Sequence, residues 1–311
     1  MKKDFFKDSK IKFPAYEPWI SGDDKKIINK TLSQSMLTLG PQLEKFEADF
    51  CKYSKSKYAV AVSNCTAALH LSLMALGIAK DNDLKVVEDC AHAVGTFYKS
   101  KHVGTLGNTG CFSFYPTKNI TTAEGGMVTT NSKEIAEKVR QLRSHGMTKS
   151  LKSRYSSEYP WVFDIVEPGY NYRLDEIRSA LGVTQLKRIK KINELRKKAS
   201  LYYHKNLQNI PGIILPDMVN DKTHSYHLYT IRVAEPFKLS RNQLYKKLKD
   251  NGIRTTVYWM PIHEYAAYRK FAKKSSIVNT TKTYDEILAL PLFPNISKKH
   301  QDAVIKVIKS A

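Results

Sequence analysis

The sequence has few cysteines, and their spacing excludes two common uses of this residue. Among 311 residues there are four, Cys51, Cys65, Cys90 and Cys111. They form no CxxC pair and no pattern of metal ligands, so neither a zinc site nor a disulfide framework is indicated. No metal site is expected elsewhere either. We interpret the four residues as buried, reduced thiols of a cytoplasmic protein.

Long apolar runs are also missing. Residues 1–13 contain lysines but no apolar run after them, so no secretory signal peptide is predicted. The stretch 58–79 lacks Asp, Glu, Lys and Arg. Its polar step, Ser63 to Thr66, nevertheless divides it into a short strand and a helix, and we reject a membrane-spanning helix. We expect a soluble, cytoplasmic protein with no membrane partner.

Acidic residues are scarce relative to basic ones. The 51 Lys and Arg residues against 29 Asp and Glu residues give a formal charge of +22, which suits an anionic partner such as nucleic acid, phosphate or a nucleotide. The densest basic run, 187–198, carries a helical apolar stripe, and we interpret it as a solvated helix face. A nucleic-acid-binding protein is an alternative that net charge alone supports, because no such motif accompanies the charge.

Hydrophobic periodicity predicts an α/β domain followed by a small α+β domain. The predicted helices are 23–35, 42–53, 66–76, 132–143, 175–207, 241–249, 283–289 and 299–309. The predicted strands are 58–62, 85–89, 112–115, 127–130, 224–233 and 254–259. Residues 147–170 are predicted to form a long loop, and long loops in compact domains are often functional. We expect a large domain over 1–207, which ends in the long linking helix, and a small domain over 208–311.

The strongest candidate for chemistry is Lys118. The segment from His102 to Ser132 contains only two charged residues, Lys118 and Glu124, in an apolar and Gly-rich context between two strands. Burial lowers the pKa of a lysine, and a neutral amine can form a Schiff base with an aldehyde. Isolation alone also fits a loop lysine that reaches solvent, which is the commoner arrangement.

Three other segments carry weaker signals. Ser63–Ala68 lies where a strand turns into a helix and predicts a phosphate site at the helix start, although an ordinary N-cap at Asn64 or Thr66 explains it equally well. Glu88 and Asp89 end an apolar strand, where α/β folds place ligands, and His92 follows. Gly169–Arg173 precedes a helix. Neither GxGxxG nor GK[ST] occurs, so neither a Rossmann site nor a P-loop is indicated.

Taken together, these motifs resemble the DegT-type sugar aminotransferases. The matching segments, in the order of that family, are SNCTAALHL, VVEDCAHAVG, GCFSFYPTKN with AEGG, RSHG, GYNYRLDEIRSALG, HSYHLYTIRV and LPLFP. The resemblance runs from about Phe13 to near the C-terminus. It implies the fold of aspartate-aminotransferase-like, fold-type I enzymes that use pyridoxal 5'-phosphate (PLP): a large domain with a central, mostly parallel sheet and a small α+β domain.

The resemblance also implies roles for individual residues. Lys118 matches the Schiff-base lysine, which also shuttles protons. Asp89 matches the partner of the pyridine nitrogen, and His92 matches the position beside the cofactor ring. Three positions match phosphate ligands in the same subunit, namely Thr66, Ala67 and Ser113. Asn171 matches an asparagine that reaches the phosphate from the partner subunit, which implies a homodimer with shared active sites.

The implied reaction moves an amino group from an amino acid, usually glutamate, to a nucleotide-linked keto sugar, as in polysaccharide biosynthesis. The family's dehydratase branch has histidine in place of the lysine, so Lys118 favours transamination. One departure from the family stands out. Only residues 77–84 join the helix at 66–76 to the strand at 85–89, where the family has about 60–80 residues more, judged at about 30 residues for each βαβ unit.

This internal deletion predicts a shortened sheet with exposed apolar edges. It also removes the aromatic residue that the family stacks on the cofactor ring. Three explanations stand side by side: a naturally shortened relative, an incomplete gene product, or a protein with weak PLP binding and altered chemistry. The alternative function is a catalytically silent family member that acts as a binding or regulatory subunit.

Overall fold

A computed structural model describes residues 11–77, 84–148, 158–217, 224–271 and 278–311. The described chain divides into two compact units. The sheet unit contains the described residues from Pro18 to Asn193 together with 224–225. The C-terminal unit contains 11–17, the described residues from Glu194 to 217, and those from Tyr226 onward.

The sheet unit is built on a mixed four-stranded sheet with the order β1-β6-β5-β2. Its strands are β1 (Tyr58–Val62), β2 (Val87–Asp89), β5 (Thr109–Ser113) and β6 (Gly126–Thr130), and a small hairpin is formed by β3 (Phe97–Tyr98) and β4 (Lys101–His102). Strand β6 is antiparallel to both of its neighbours, whereas β2 is parallel to β5. Strands β1, β5 and β2 therefore run in the same direction.

Helices cover both faces of this sheet, because its strands alternate apolar residues toward each side. On one face Ala59 and Ala61 of β1 pack in a core with Phe46 and Phe50. On the other face Val60 and Val62 pack with residues of the next two helices. The helices of this unit are α1 (Gly22–Leu32), α2 (Pro41–Ser54), α3 (Cys65–Ala75), α4 (Lys133–Leu142) and α5 (Glu176–Lys187).

The start of α2 is held by a buried carboxylate. Glu176 of α5 accepts hydrogen bonds from the backbone N–H groups of Gly40, Gln42 and Leu43 at 3.0, 2.7 and 2.9 Å. These donors have no intrahelical partner, so the negative charge both satisfies them and complements the helix dipole. The contact attaches α2 to α5 on one face of the sheet.

The C-terminal unit has a three-stranded antiparallel sheet with the order β7-β8-β9. Its core joins residues of the sheet to Tyr203, Leu207, Leu244 and Val304 of the surrounding helices. The elements, in order, are α6 (Ile189–Leu207), β7 (Ile213–Ile214), β8 (Tyr229–Val233), α7 (Arg241–Asp250), α8 (Val278–Glu286), β9 (Ile287–Leu290) and α9 (Lys298–Lys309).

The structure corrects several predicted elements. The long helical region is two helices, α5 and α6, which are separated at Arg188. The strand predicted over 254–259 is reduced to an isolated bridge between Thr256 and Ala289. The helix predicted over 283–289 ends at Glu286, because Ile287–Leu290 pairs with β8 instead. The predicted strand over 224–233 starts only at Tyr229.

The change between the two units occurs within α6. Ile189 and Ile192 pack in the core of the sheet unit, whereas Ala199, Tyr203 and Leu207 pack in that of the C-terminal unit. The boundary between the two units along α6 therefore lies between Asn193 and Glu194. The domain boundary expected from the sequence follows residue 207. Among the described residues, no helix is long and apolar enough to cross a membrane.

Candidate active site

The predicted site residues collect at one edge of the four-stranded sheet. Strands β1, β5 and β2 run in the same direction, so their C-terminal ends meet at this edge. Helix α3 begins after β1, Ser113 is the last residue of β5, and Asp89 is the last residue of β2. In open α/β sheets this edge is where ligands bind.

Asp89 and Ser113 also share one face of the sheet. Asp89 is paired in register with Cys111 on the parallel neighbour, and Ser113 lies two residues beyond Cys111, so all three side chains point to the same side. That side is the one covered by α3, because the Cys111 thiol lies 3.2 Å from the Ser72 hydroxyl of α3. The face is thus lined by a carboxylate and a hydroxyl next to a helix N-terminus.

Lys118 lies in the loop that follows β5. Its backbone N–H donates to the carbonyl oxygen of Tyr115 at 2.9 Å, which closes a tight turn. Burial lowers the pKa of the Lys118 amine, while Cys65 at the start of α3 and the carboxylate of Asp89 act in the opposite direction. Lys118 is therefore partly buried rather than freely solvated, and its amine is within electrostatic range of Cys65 and Asp89.

His92 belongs to the same group. Burial and the positive charge of Lys118 lower the pKa of His92, and Asp89 raises it. Asp89 itself accepts a hydrogen bond from the backbone N–H of Ala91 at 3.0 Å, within the turn that leads to His92. The three residues Lys118, Asp89 and His92 are therefore close enough to act on one another electrostatically.

Cys65 is a member of this site that sequence reasoning passed over. Burial, followed by the charges of Asp89 and Cys111, raises the pKa of the Cys65 thiol to about 12, although Lys118 acts to lower it. The thiol is therefore neutral near pH 7 and is a poor nucleophile. Its position before Thr66 in the predicted phosphate segment was the signal available in the sequence.

A hydrogen-bond network that sequence reasoning also missed connects the Lys118 loop to the His92 turn. The side-chain amide of Asn119 donates to Asn193 and to the carbonyl oxygen of Ser225, each at 2.6 Å. The hydroxyl of Ser225 donates in turn to the carbonyl oxygen of His92 at 2.7 Å. Asn119 and Ser225 are both buried, so these contacts are shielded from competing water.

The start of α3 has the N-cap that the sequence predicted at Asn64 or Thr66, and the phosphate site stays a prediction. Asn64 is the N-cap and accepts a hydrogen bond from the N–H of Ala67 at 2.8 Å, while the side chain of Thr66 is exposed. Gly126 of β6 packs against this start so closely that a Cβ atom there would lie 2.4 Å from the Asn64 carbonyl oxygen. The N-terminus of α3 is thereby fixed against the sheet.

Asn171 lies on a short segment that runs beside the end of β1 and the start of α3. Its backbone forms an isolated antiparallel bridge with Ser144, and the carbonyl oxygen of the next residue, Tyr172, accepts a hydrogen bond from the N–H of Ser63 at 2.8 Å. Asn171 itself is exposed.

A pocket of about 900 Å³ lies elsewhere in the sheet unit. It is lined by charged residues that include Arg143 and Arg173, and none of the seven predicted site residues lines it. Burial and the nearby charge of Arg143 lower the pKa of Arg173. Within the described parts of the chain, no group of three or more His, Cys, Asp or Glu side chains is arranged to hold a metal ion.

The chain is similar to known proteins in both sequence and structure. The model of the DegT/DnrJ/EryC1/StrS aminotransferase family matches residues 18–82 and 76–309. The uncharacterized protein MJ1066 of Methanocaldococcus jannaschii is 32% identical, with 96% of each chain covered. The spore coat polysaccharide biosynthesis protein SpsC of Bacillus subtilis is 31% identical, with 95% of this chain and 96% of that protein covered.

A solved structure agrees with these sequence matches. Helicobacter pylori PseC, an aminotransferase involved in the biosynthesis of pseudoaminic acid, has a TM-score of 0.85 and 25% identity, with 96% of this chain and 100% of that chain covered. The expected fold class is therefore confirmed. Both sequence alignments extend over 373 residues, whereas this chain has 311, so these relatives contain residues without a counterpart here.

Proposed function

The chain belongs to the DegT/DnrJ/EryC1/StrS aminotransferase family, and on that basis we propose that it uses PLP to move an amino group from an amino acid, glutamate, to a nucleotide-linked keto sugar. The single observation that carries the proposal is the group formed by Lys118, Asp89 and His92 at the C-terminal edge of the sheet. PLP supplies an aldehyde that takes up the amino group and a ring that withdraws electrons from the reacting carbon.

The residues of this edge fit the three polar parts of PLP. The aldehyde requires an amine, the ring nitrogen requires a carboxylate, and the phosphate requires hydroxyl and backbone N–H donors. Lys118, Asp89 and the start of α3 would supply these groups at the C-terminal edge of the sheet. The close approach of Gly126 to Asn64, where a Cβ atom would not fit, keeps the helix start near the sheet.

Lys118 is proposed to hold the cofactor and to move the proton. Because burial lowers the pKa of its amine, a larger neutral fraction is available near pH 7 than for a solvated lysine. The neutral amine accepts a proton at Nζ from the donor carbon and returns it to the acceptor carbon. Partial exclusion of water by the surrounding loop restricts this exchange to the bound substrate.

Asp89 and His92 are proposed to orient the ring. The carboxylate of Asp89 keeps the ring nitrogen protonated, which stabilises the negative charge that develops during proton removal. His92 would hold the ring from one side, and because burial and Lys118 lower its pKa, its neutral form, which adds no competing positive charge, would be favoured. The turn between them is fixed by the Asp89–Ala91 hydrogen bond.

The phosphate is proposed to lie at the N-terminus of α3. Thr66 at the helix start and Ser113 at the end of β5 each provide a hydroxyl. The backbone N–H of Ala67, which donates to Asn64 in this structure, would exchange that acceptor for the phosphate. The positive end of the α3 dipole supports the negative charge of the phosphate. We propose that Asn171 completes the site from the partner subunit of a cytoplasmic homodimer.

The substrate class is inferred from charge and from the relatives. The formal charge of +22 favours a polyanionic substrate such as a nucleotide-linked sugar. SpsC is named for spore coat polysaccharide biosynthesis, and PseC for biosynthesis of pseudoaminic acid. Neither name establishes the sugar for this chain, but both support an acceptor of carbohydrate type.

The test is the visible absorbance spectrum of the purified protein with PLP, recorded beside Lys118→Ala. We expect the band of lysine-bound PLP in the wild type and none in the variant. Borohydride should then fix PLP onto Lys118, which peptide mapping identifies. Screening of keto sugars with glutamate follows.

Two results would contradict the proposal. The same band in both proteins would show that PLP reacts with other lysines, and no band in either would show that the site is not functional. A wild-type protein that binds PLP at Lys118 but aminates no keto sugar would support the silent-subunit alternative. Lys133→Ala, which removes a lysine with an exposed side chain, is the matched control for surface labelling.

A further inference from the structure

Glu88 forms an unusually complete set of contacts with the backbone. Its carboxylate accepts three hydrogen bonds, each 2.7 Å long, from the N–H groups of Gly104, Leu106 and Gly107. Hydrogen bonds to an ionised acceptor are about twice as strong as neutral ones. The side chain therefore attaches β2 firmly to the loop 104–107.

That loop is itself held against the sheet. Gly104 has a φ of +86°, and a Cβ atom on Gly110 of β5 would lie 2.2 Å from the Cα of Gly104. The hydroxyl of Thr129 in β6 donates to the carbonyl oxygen of Gly104 at 2.5 Å. Because the loop contacts both β5 and β6, it is a fixed support and not a flexible appendage.

The same loop contacts the residue before β2. The N–H of Val86 donates to the side-chain carbonyl of Asn108 at 2.8 Å, and the N–H of Asn108 donates to the carbonyl oxygen of Val86 at 2.9 Å. Together with the Glu88 contacts, these bonds hold β2 along its length. We call the loop 104–108 and its bonds to Val86 and Glu88 the brace.

The brace matters because β2 is the last strand of the described sheet. It is three residues long and pairs only with β5 in that sheet. The apolar residues Leu84 and Val86 next to it are 92% and 55% exposed. A strand with one neighbour is held by backbone hydrogen bonds along one edge only, whereas an interior strand is held along both. The last residue of this less restrained strand is Asp89.

The relatives differ from this chain in the segment before β2. The family model matches in two segments that meet at residues 76–82, directly before β2 in the chain, and the relatives' alignments are longer than this chain. In this chain, residues that would follow α3 in the relatives are therefore not available to support β2. The brace lies within the residues that remain.

We infer that Glu88 is a positioning residue that directs Asp89 toward the ring nitrogen of the cofactor, an inference that rests on the proposed function. Successive side chains of a strand point to opposite faces, so Glu88 does not share the face of Asp89 and does not touch the cofactor. It acts by fixing the backbone of β2. Loss of its charge lets the end of the strand move, and the Asp89 carboxylate moves with it.

The test compares Glu88→Gln with Glu176→Gln. Glu176 also accepts three backbone N–H groups, so both substitutions remove a charge from the same kind of contact. Glu176 belongs to α5 and supports α2, not the strand that carries Asp89. Both variants are expected to lose thermal stability, and only the spectroscopic readout separates a positioning role from a structural one.

The readouts are the dissociation constant of PLP and the pH midpoint of the absorbance of lysine-bound PLP. For Glu88→Gln we expect the dissociation constant to rise roughly 10- to 100-fold, as when residues that orient metal ligands are removed. The pH midpoint should rise, in the same direction as for Asp89→Asn, because a ring nitrogen without its carboxylate loses its proton. Glu176→Gln should keep the wild-type midpoint.

The outcomes separate this inference from the proposed function. If the wild type shows the band, two results would overturn the positioning role alone. One is a pH midpoint in Glu88→Gln equal to that of the wild type, and the other is an equal shift of the midpoint in Glu176→Gln. A wild-type protein without the band would overturn the proposed function and the positioning role together. Amide hydrogen exchange without PLP gives a further check: the N–H groups of Gly104, Leu106 and Gly107 should lose protection in Glu88→Gln, and retained protection would contradict the brace.

Discussion

The hydroxyl of Ser225 donates a hydrogen bond of 2.7 Å to the carbonyl oxygen of His92. Ser225 also accepts, through its own carbonyl oxygen, the side-chain amide of Asn119 next to Lys118. One buried residue thus connects the loop of the proposed catalytic lysine with the turn beside the proposed cofactor ring.

Ser225→Ala should weaken PLP binding and lower the free energy of unfolding by about 1 kcal/mol, the usual net contribution of a hydrogen bond. The matched control is Ser200→Ala. The Ser200 hydroxyl is buried and has no hydrogen-bond partner among the described residues, so its removal should cost little. Urea titration and PLP titration of both variants check this. Equal effects of the two substitutions would contradict a role for the Ser225 contact.

The reactivity of Lys118 should depend on pH in a defined direction. Burial lowers the pKa of Lys118, so without PLP the amine should react with trinitrobenzenesulfonate with a pH midpoint below the value of about 10.4 for a free lysine. Asp89 acts to raise this pKa, so Asp89→Asn should move the midpoint further down. Peptide mapping by mass spectrometry measures the modification at each pH. An unchanged midpoint in Asp89→Asn would show that Asp89 does not act on the amine, and an upward shift would contradict the direction expected here.

His300 should make folding stability depend on pH. Burial lowers the pKa of His300 to about 4, and its ring packs between Phe13 and Phe293 at centroid distances of 4.7 and 5.6 Å. The folded pKa is below the ordinary value of 6.5, so this contribution to stability is complete above pH 6.5. It is lost as the pH falls toward 4, because the unfolded chain binds the proton first.

Between pH 7 and pH 5 the contribution of His300 to the free energy of unfolding should fall by about 2 kcal/mol. His300→Leu, with a side chain of similar size that does not titrate, should remove this part of the pH dependence. Urea unfolding at both pH values for the two proteins gives the comparison. If the variant loses as much stability as the wild type between these pH values, other groups account for the dependence.

A shared active site predicts complementation between two inactive variants. Lys118→Ala lacks the amine and Asn171→Ala lacks the proposed phosphate ligand from the partner subunit. After dissociation and mixing, half of the randomly paired dimers are mixed and each contains one intact site, so about a quarter of the wild-type signal should return. Borohydride-trapped PLP or amination activity measures it. No recovery in dimers shown to be mixed would mean that Asn171 acts in its own subunit.

Local sequence patterns were sufficient to predict most individual helices and strands. Strand β1 and the helix after it were predicted to within a residue, because an apolar β-rich run, the polar step at Asn64 and Gly77 mark their limits. The prediction of helix over residues 287–289 is wrong, because Ile287–Leu290 forms β9. The segment is too short for its hydrophobic periodicity to distinguish helix from strand. Pairing with β8, which is distant in sequence, makes it a strand.

Isolation in an apolar segment singled out Lys118, and the order of motifs identified the family. These signals reside in residue types and short spacings, which the sequence shows directly. The short connection over residues 77–84 is likewise read directly from the sequence, and it is the basis on which an internal shortening is predicted. The sequence by itself therefore determined the class of the protein, the choice of its principal candidate residues and the place of the predicted shortening.

Only the tertiary structure decided how these parts support one another. The position of β2 at the end of the sheet follows from its pairing with β5 and not from its place in the chain. Ser225 and His92 are 133 positions apart, and Glu88 contacts a loop 16 to 19 positions away. Such contacts depend on which distant segments pack together to bury their apolar faces, and local periodicity carries no record of that choice.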